Sequence, residues 1–182
     1  MYLLRSFSLS KWSPNLVKSL NDFETDPITG CTRTQSNELS VWKIDSFCWD
    51  SDLINKIITA FAINKDAPAT LDFIFLDGGF LTSKGIEIEN KEAETPYEQM
   101  NSYHHDLTKL TYEKLGIVAD HIVTQLNDRE THKRIEKAIL IKLVVDIYLK
   151  EGQEIFDLDS LSEKWVKAIK SEITKRGLKQ IP

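Results

Sequence analysis

The sequence predicts an α+β fold, with a small antiparallel or mixed sheet from the N-terminal half packed against a helical C-terminal half. Three observations carry this. Short β-branched or alternating runs cluster before residue 90. Apolar residues at helical spacing dominate from residue 106 onward. Charge divides the same way: residues 1–100 hold 9 basic and 15 acidic groups, and residues 101–182 hold 14 and 13. The expected organisation is one domain over residues 1–182. Its sheet-rich part is 1–90, its helical part is 100–182, and an acidic loop over 87–98 joins them.

Tyr2–Phe7 reads as the first strand. Residues 14–20 suit a short helix, with Ser13 as cap and Pro14 at the first position. Residues 24–38 are rich in turn formers and read as a long polar loop. In Leu39–Ile44, Leu39 and Val41 share one face of a strand while Trp42 and Ile44 share the other. Asp50 or Ser51 can cap a helix carrying Leu53, Ile54, Ile57, Ile58 and Phe61 at helical spacing. Residues 70–76 form the clearest strand, and Asp77-Gly78-Gly79 reads as its closing turn. Residues 85–89 alternate as a half-exposed edge strand. Three helices follow: Asp106–Leu126, Arg129–Lys150, and one started by Asp159 or Ser160, with Glu163 closing a capping box on Ser160, and stopped by Gly177.

Composition narrows the function classes. With 41% hydrophobic and 28% charged residues and a net charge of −5, the chain is ordinary globular material. Cys31 and Cys48 have no metal-ligand or redox spacing around them, which fits a reducing compartment. The N-terminal apolar run breaks at Arg5, unlike a secretory signal. Residues 138–149 are the longest apolar stretch, interrupted by Lys142 and Asp146 and shorter than the roughly 20 residues of a membrane span. The expectation is a soluble cytoplasmic protein with no membrane association. No cofactor fingerprint is present, and no metal site is assigned.

Several residues are candidates for chemistry. His104, His105 and Asp106 stand together, and histidine beside a carboxylate suits metal binding or general-base work. The doublet His105-Asp106 resembles the metal-binding pair of the HD phosphohydrolase family over those two residues alone. Residues 1–103 hold no histidine to supply that family's earlier ligand, so its properties are not carried over. His121 falls inside the apolar arc of its helix, as a ligand, a tuned base or a core histidine satisfied by one hydrogen bond. His132 and Glu136 are four apart, a metal-binding spacing on a helix or simply a solvated first turn.

Arg33, flanked by Thr32 and Thr34, could hold a phosphate or carboxylate, and Asp77 ends a strand where α/β folds often place a catalytic carboxylate. Lys164, Lys167, Lys170 and Lys175 line one face of the last helix, opposite Trp165 and Ile169.

Three function classes follow. The favoured one is an intracellular interaction or regulatory protein, an immunity- or antitoxin-like binder whose acidic front half suits a basic protein partner. The second is a small phosphate- or nucleic-acid-directed enzyme using Arg33 with His104, His105 and Asp106. The third is a nucleic-acid binder acting through the lysine face, a reading the net charge does not support.

Overall fold

A computed structural model describes residues 1–32, 35–152 and 155–178. In chain order its strands and α-helices are β1 (Tyr2–Phe7), α1 (Leu9–Trp12), α2 (Thr25–Cys31), β2 (Leu39–Ile44), α3 (Asp52–Ile63) and β3 (Leu71–Asp77). Then come α4 (Gly78–Ser83), β4 (Glu87–Asn90), β5 (His104–Thr108), α5 (Tyr112–Leu126), β6 (His132–Ile135), α6 (Lys137–Glu151) and α7 (Glu163–Lys175). The fold is α+β, with one six-stranded antiparallel sheet and mostly helix in the C-terminal half. The chain divides into two compact units. One holds Met1–Phe47, Leu71–Glu92 and Tyr103–Arg134, and the other holds Cys48–Thr70, Ala93–Ser102 and Ile135–Pro182.

The first unit is built on the sheet, in the order β4-β5-β2-β1-β3-β6. β1 lies between β2 and β3, with Leu4 opposite Trp42 on one side and Phe75 on the other. One sheet face carries Leu3, Val41, Leu76 and Leu107, which cluster with Val118 and Ile122 of α5. Full burial of each such side chain contributes roughly 1.5–3 kcal/mol, so this seam fixes the register. Arg5 of β1 donates to the carbonyls of Ser40 and Cys31. It thereby ties the C-terminal end of α2, where backbone carbonyls favour a cation, to the sheet.

The second unit is helical. α6 packs with both α3 and α7, and Trp165 and Tyr97 are fully buried. Ser51 caps α3 by accepting from the Ile54 N–H, and Ser162 caps α7 by accepting from the Trp165 N–H. Lys56 bridges Asp52 at 2.9 Å and Glu151 at 3.1 Å, and hydrogen bonds to both raise its pKa.

Several sequence expectations change. Residues 25–31 of the expected loop are helical. Pro27 sits in the first turn, where its missing N–H costs nothing, and Ile28 packs on the core. The helix expected from Asp106 starts only at Tyr112. Lys109 has φ 53°, which no helix tolerates, and Thr111 caps the helix by accepting from the Lys114 N–H. Residues 104–108 are therefore strand. The helix expected from Arg129 begins at Lys137, because His132–Ile135 joins the sheet. His132 and Glu136 are consequently not one turn apart on a helix.

Asp77-Gly78-Gly79 opens α4 rather than a hairpin, and β3 and β4 are not neighbours. The residues around Pro14 form a single 3-10 turn, Ser13–Asn15, after α1. The last helix is capped by Ser162 instead of Ser160, since Leu158–Ser160 makes its own 3-10 turn. Cys31 and Cys48 are both free thiols.

Candidate functional site

β5 decides the fate of the histidine cluster. Successive strand residues point to opposite faces, so His104 and Asp106 share one face while His105 and Leu107 share the other. The structure thus brings together two of the three predicted residues and separates the third.

His105 is buried, and its Nδ1 lies 3.2 Å from the Tyr103 carbonyl. It lines a cleft of about 470 Å³ with Met1, Lys43, Ile86 and Ile88. Burial is the main cause that pushes its pKa below 6.5, and Lys43 adds to it.

His121 is a structural residue. It is 4% exposed, its Nε2 accepts the Asp77 backbone N–H at 2.9 Å, and its ring stacks on Phe80 at 4.5 Å. Burial depresses its pKa, and Asp77 and Asp120 only partly oppose that. Asp77 itself caps α4: its Oδ1 accepts from the N–H groups of Gly79 at 2.8 Å and Phe80 at 3.1 Å. Thr32 is buried and donates to the Ile28 carbonyl at 2.5 Å, which closes the end of α2. Arg33 and Thr34 lie outside the described residues. Lys164, Lys167, Lys170 and Lys175 are all exposed on α7, and Trp165, Ile169 and Ile173 are buried on its other side.

The most distinctive polar arrangement in the first unit surrounds Asp106. A cleft of about 310 Å³ is lined by Gln35, Ser36, Glu38, Ser40, Lys91, Glu92, His104 and Asp106. The Asp106 side chain is 6% exposed. Its Oδ2 lies 3.4 Å from Lys91 Nζ, which also binds Glu38 Oε2 at 2.5 Å. His104 Nδ1 donates to the Lys91 carbonyl at 2.6 Å, and the ring meets Trp42 edge-on at 5.3 Å. Nε2 of the same ring stands 4.0 Å from Asp106 Oδ1, and that oxygen has no hydrogen-bond partner among the described residues.

Glu38, Lys91 and Glu92 were not singled out from sequence, and neither was Arg5. Burial lowers the Arg5 pKa to about 10, with Cys31 and Asp106 acting in the opposite sense. Little in the sequence signalled this: His105, Asp106, Leu107 and Thr108 of β5 are all buried, and of them only Leu107 joins the apolar core. Glu38 and Lys91 are 53 residues apart and meet only through the strand order.

Next to the cleft, β4 forms one edge of the sheet. Glu87 and Glu89 are exposed there, and Lys109 binds Glu87 at 2.5 Å and lies 3.9 Å from Glu89. Lys109 holds the Glu87 carboxyl below its ordinary pKa. Five carboxylates (Glu38, Glu87, Glu89, Glu92 and Asp106) therefore border this end of the sheet beside Lys91 and Lys109. Among the described residues, no three His, Cys, Asp or Glu side chains converge to hold a metal ion. Among them, too, no helix is long and apolar enough to cross a membrane. The chain matches no family model, no curated protein and no solved structure.

Proposed function

We propose that this is a cytoplasmic interaction or regulatory protein, immunity- or antitoxin-like, that binds a basic protein partner along the β4 edge of its sheet. The observation supporting this reading is the pairing of an edge strand with a surplus of carboxylate. β4 is the terminal strand of the sheet, and Glu87 and Glu89 point from it to the same side as Asp106 of β5. An edge strand offers backbone groups to an incoming chain, and its acidic side chains repel a second copy of itself. The same charges favour a strand or loop rich in lysine and arginine, mainly by speeding encounter.

The test is affinity purification from the native host, using the wild-type chain and a Glu87→Lys/Glu89→Lys variant as baits. The expected result is a basic protein that is retained in stoichiometric amount by the wild type and lost with the variant. With that partner purified, the association rate should fall tenfold or more for the variant at low salt. Equal retention by both baits, or none by either, would overturn the proposal.

A further inference from the structure

We infer that the cleft at Asp106 is an anchor pocket for a guanidinium group, supplied by an arginine side chain of the basic partner. This inference rests on the partner-binding reading above and names the chemical group that the acidic edge takes in.

The argument begins with hydrogen-bond direction. A carbonyl oxygen only accepts, so His104 Nδ1, 2.6 Å from the Lys91 carbonyl, carries the hydrogen. In the neutral ring, Nε2 is then a lone pair. It faces Asp106 Oδ1 across 4.0 Å, so an acceptor meets an acceptor. The Asp106 side chain is more than nine-tenths buried, and its Oδ1 has no partner among the described residues. A buried carboxylate oxygen left this way is rare and calls for a donor.

One nitrogen bearing two N–H groups fits the gap. Placed about 2.9 Å from each acceptor, it sits about 2 Å to one side of the line between them and donates one hydrogen to each. A terminal nitrogen of a guanidinium has this form. Its other N–H groups would find the carboxylates of Glu38 and Glu92 and the hydroxyls of Ser36 and Ser40 around the cleft. The volume of about 310 Å³ is at the small end for ligand cavities, roughly 300–1,000 Å³, and suits one side chain better than a cofactor. Three carboxylates, Glu38, Glu92 and Asp106, outweigh Lys91 and the buried Arg5 near Asp106, which disfavours an anion.

The test titrates the full-length, nitrogen-15-labelled protein with the peptide acetyl-Gly-Arg-Gly-amide. NMR follows the backbone amides of residues 35–40, 91–92 and 104–106. Parallel titrations replace the arginine with citrulline, which keeps the shape and loses the charge, or with lysine. Saturable shifts confined to these residues are expected with arginine, with at least tenfold weaker binding for citrulline and for lysine. Asp106→Asn should weaken arginine binding at least tenfold, because its amide can donate to His104 Nε2 and fill the gap from within. Glu38→Gln, at a less buried position, should weaken it severalfold without burdening the fold. No saturable shift, or equal affinity for lysine and arginine, would overturn the inference. A partner still captured through Glu87 and Glu89 would then leave the wider reading standing. Arginine-peptide binding with no such partner would do the reverse.

Discussion

Two histidine–aspartate neighbourhoods occur in the same unit and behave oppositely. At the junction of β3 and α5, His121 accepts from the Asp77 N–H, and Asp77 in turn accepts from two N–H groups of α4. Each of these donors meets an acceptor. On β5, with the His104 ring neutral, His104 and Asp106 present acceptor to acceptor. The residue types are the same, but the first arrangement spends its polar groups on holding the chain together. The second leaves them available to something else. Sequence proximity does not separate the two cases, whereas hydrogen-bond direction does.

The comparison can be broken most directly at His121. His121→Ala removes a stacked ring and leaves the part-buried Asp77 N–H without its acceptor. The expected loss is about 2–4 kcal/mol by denaturant unfolding, against less than about 1 kcal/mol for His104→Ala. Comparable losses at the two positions would erase the distinction.

Acid should act in the same direction. The folded-state pKa of His121 lies below 6.5, as does that of His105, so the unfolded chain binds a proton more readily. Stability held by the neutral rings is complete above pH 6.5 and is lost as pH falls through the folded-state values. The slope reaches at most about 1.4 kcal/mol per pH unit for each histidine. Denaturant midpoints measured from pH 7.5 to 5 should fall, and a His121→Gln variant should show a shallower decline.

The capping role of Asp77 predicts a smaller effect. Asp77→Ala should cost about 1 kcal/mol and Asp77→Asn less, measured by thermal unfolding. The smallest effect is expected at Asp106. Asp106→Asn should change stability by less than about 1 kcal/mol, because the amide supplies the donor that His104 Nε2 lacks. A large loss there would make Asp106 structural and remove the contrast with Asp77.

Much of the framework was legible in the sequence. Tyr2–Phe7, Leu39–Ile44 and the strand ending at Asp77 are strands, because short β-branched and aromatic runs bounded by turn formers have few other ways to bury their faces. His121 fell in the apolar arc of its helix and is a core histidine holding one hydrogen bond, one of the readings its position allowed. The errors share a cause. Leu107 and Leu110 fit a helical wheel with Val118 and Ile122, and all four do enter one core. They enter it from a strand, a left-handed Lys109 and a helix in turn, and the wheel has no means of distinguishing these. Asp146 shows the same limit: in sequence it only interrupts an apolar run together with Lys142, yet Arg176, 30 residues away, binds it.

By itself the sequence determined the α+β class, the acidic character of the first half and the amphipathic face of the last helix, because each depends on local order and periodicity. Tertiary structure alone decided that His105 leaves the cluster, that Glu38 and Lys91 join Asp106, and that β4 ends the sheet. These depend on strand pairing between distant segments, and pairing is set by which faces the core can bury.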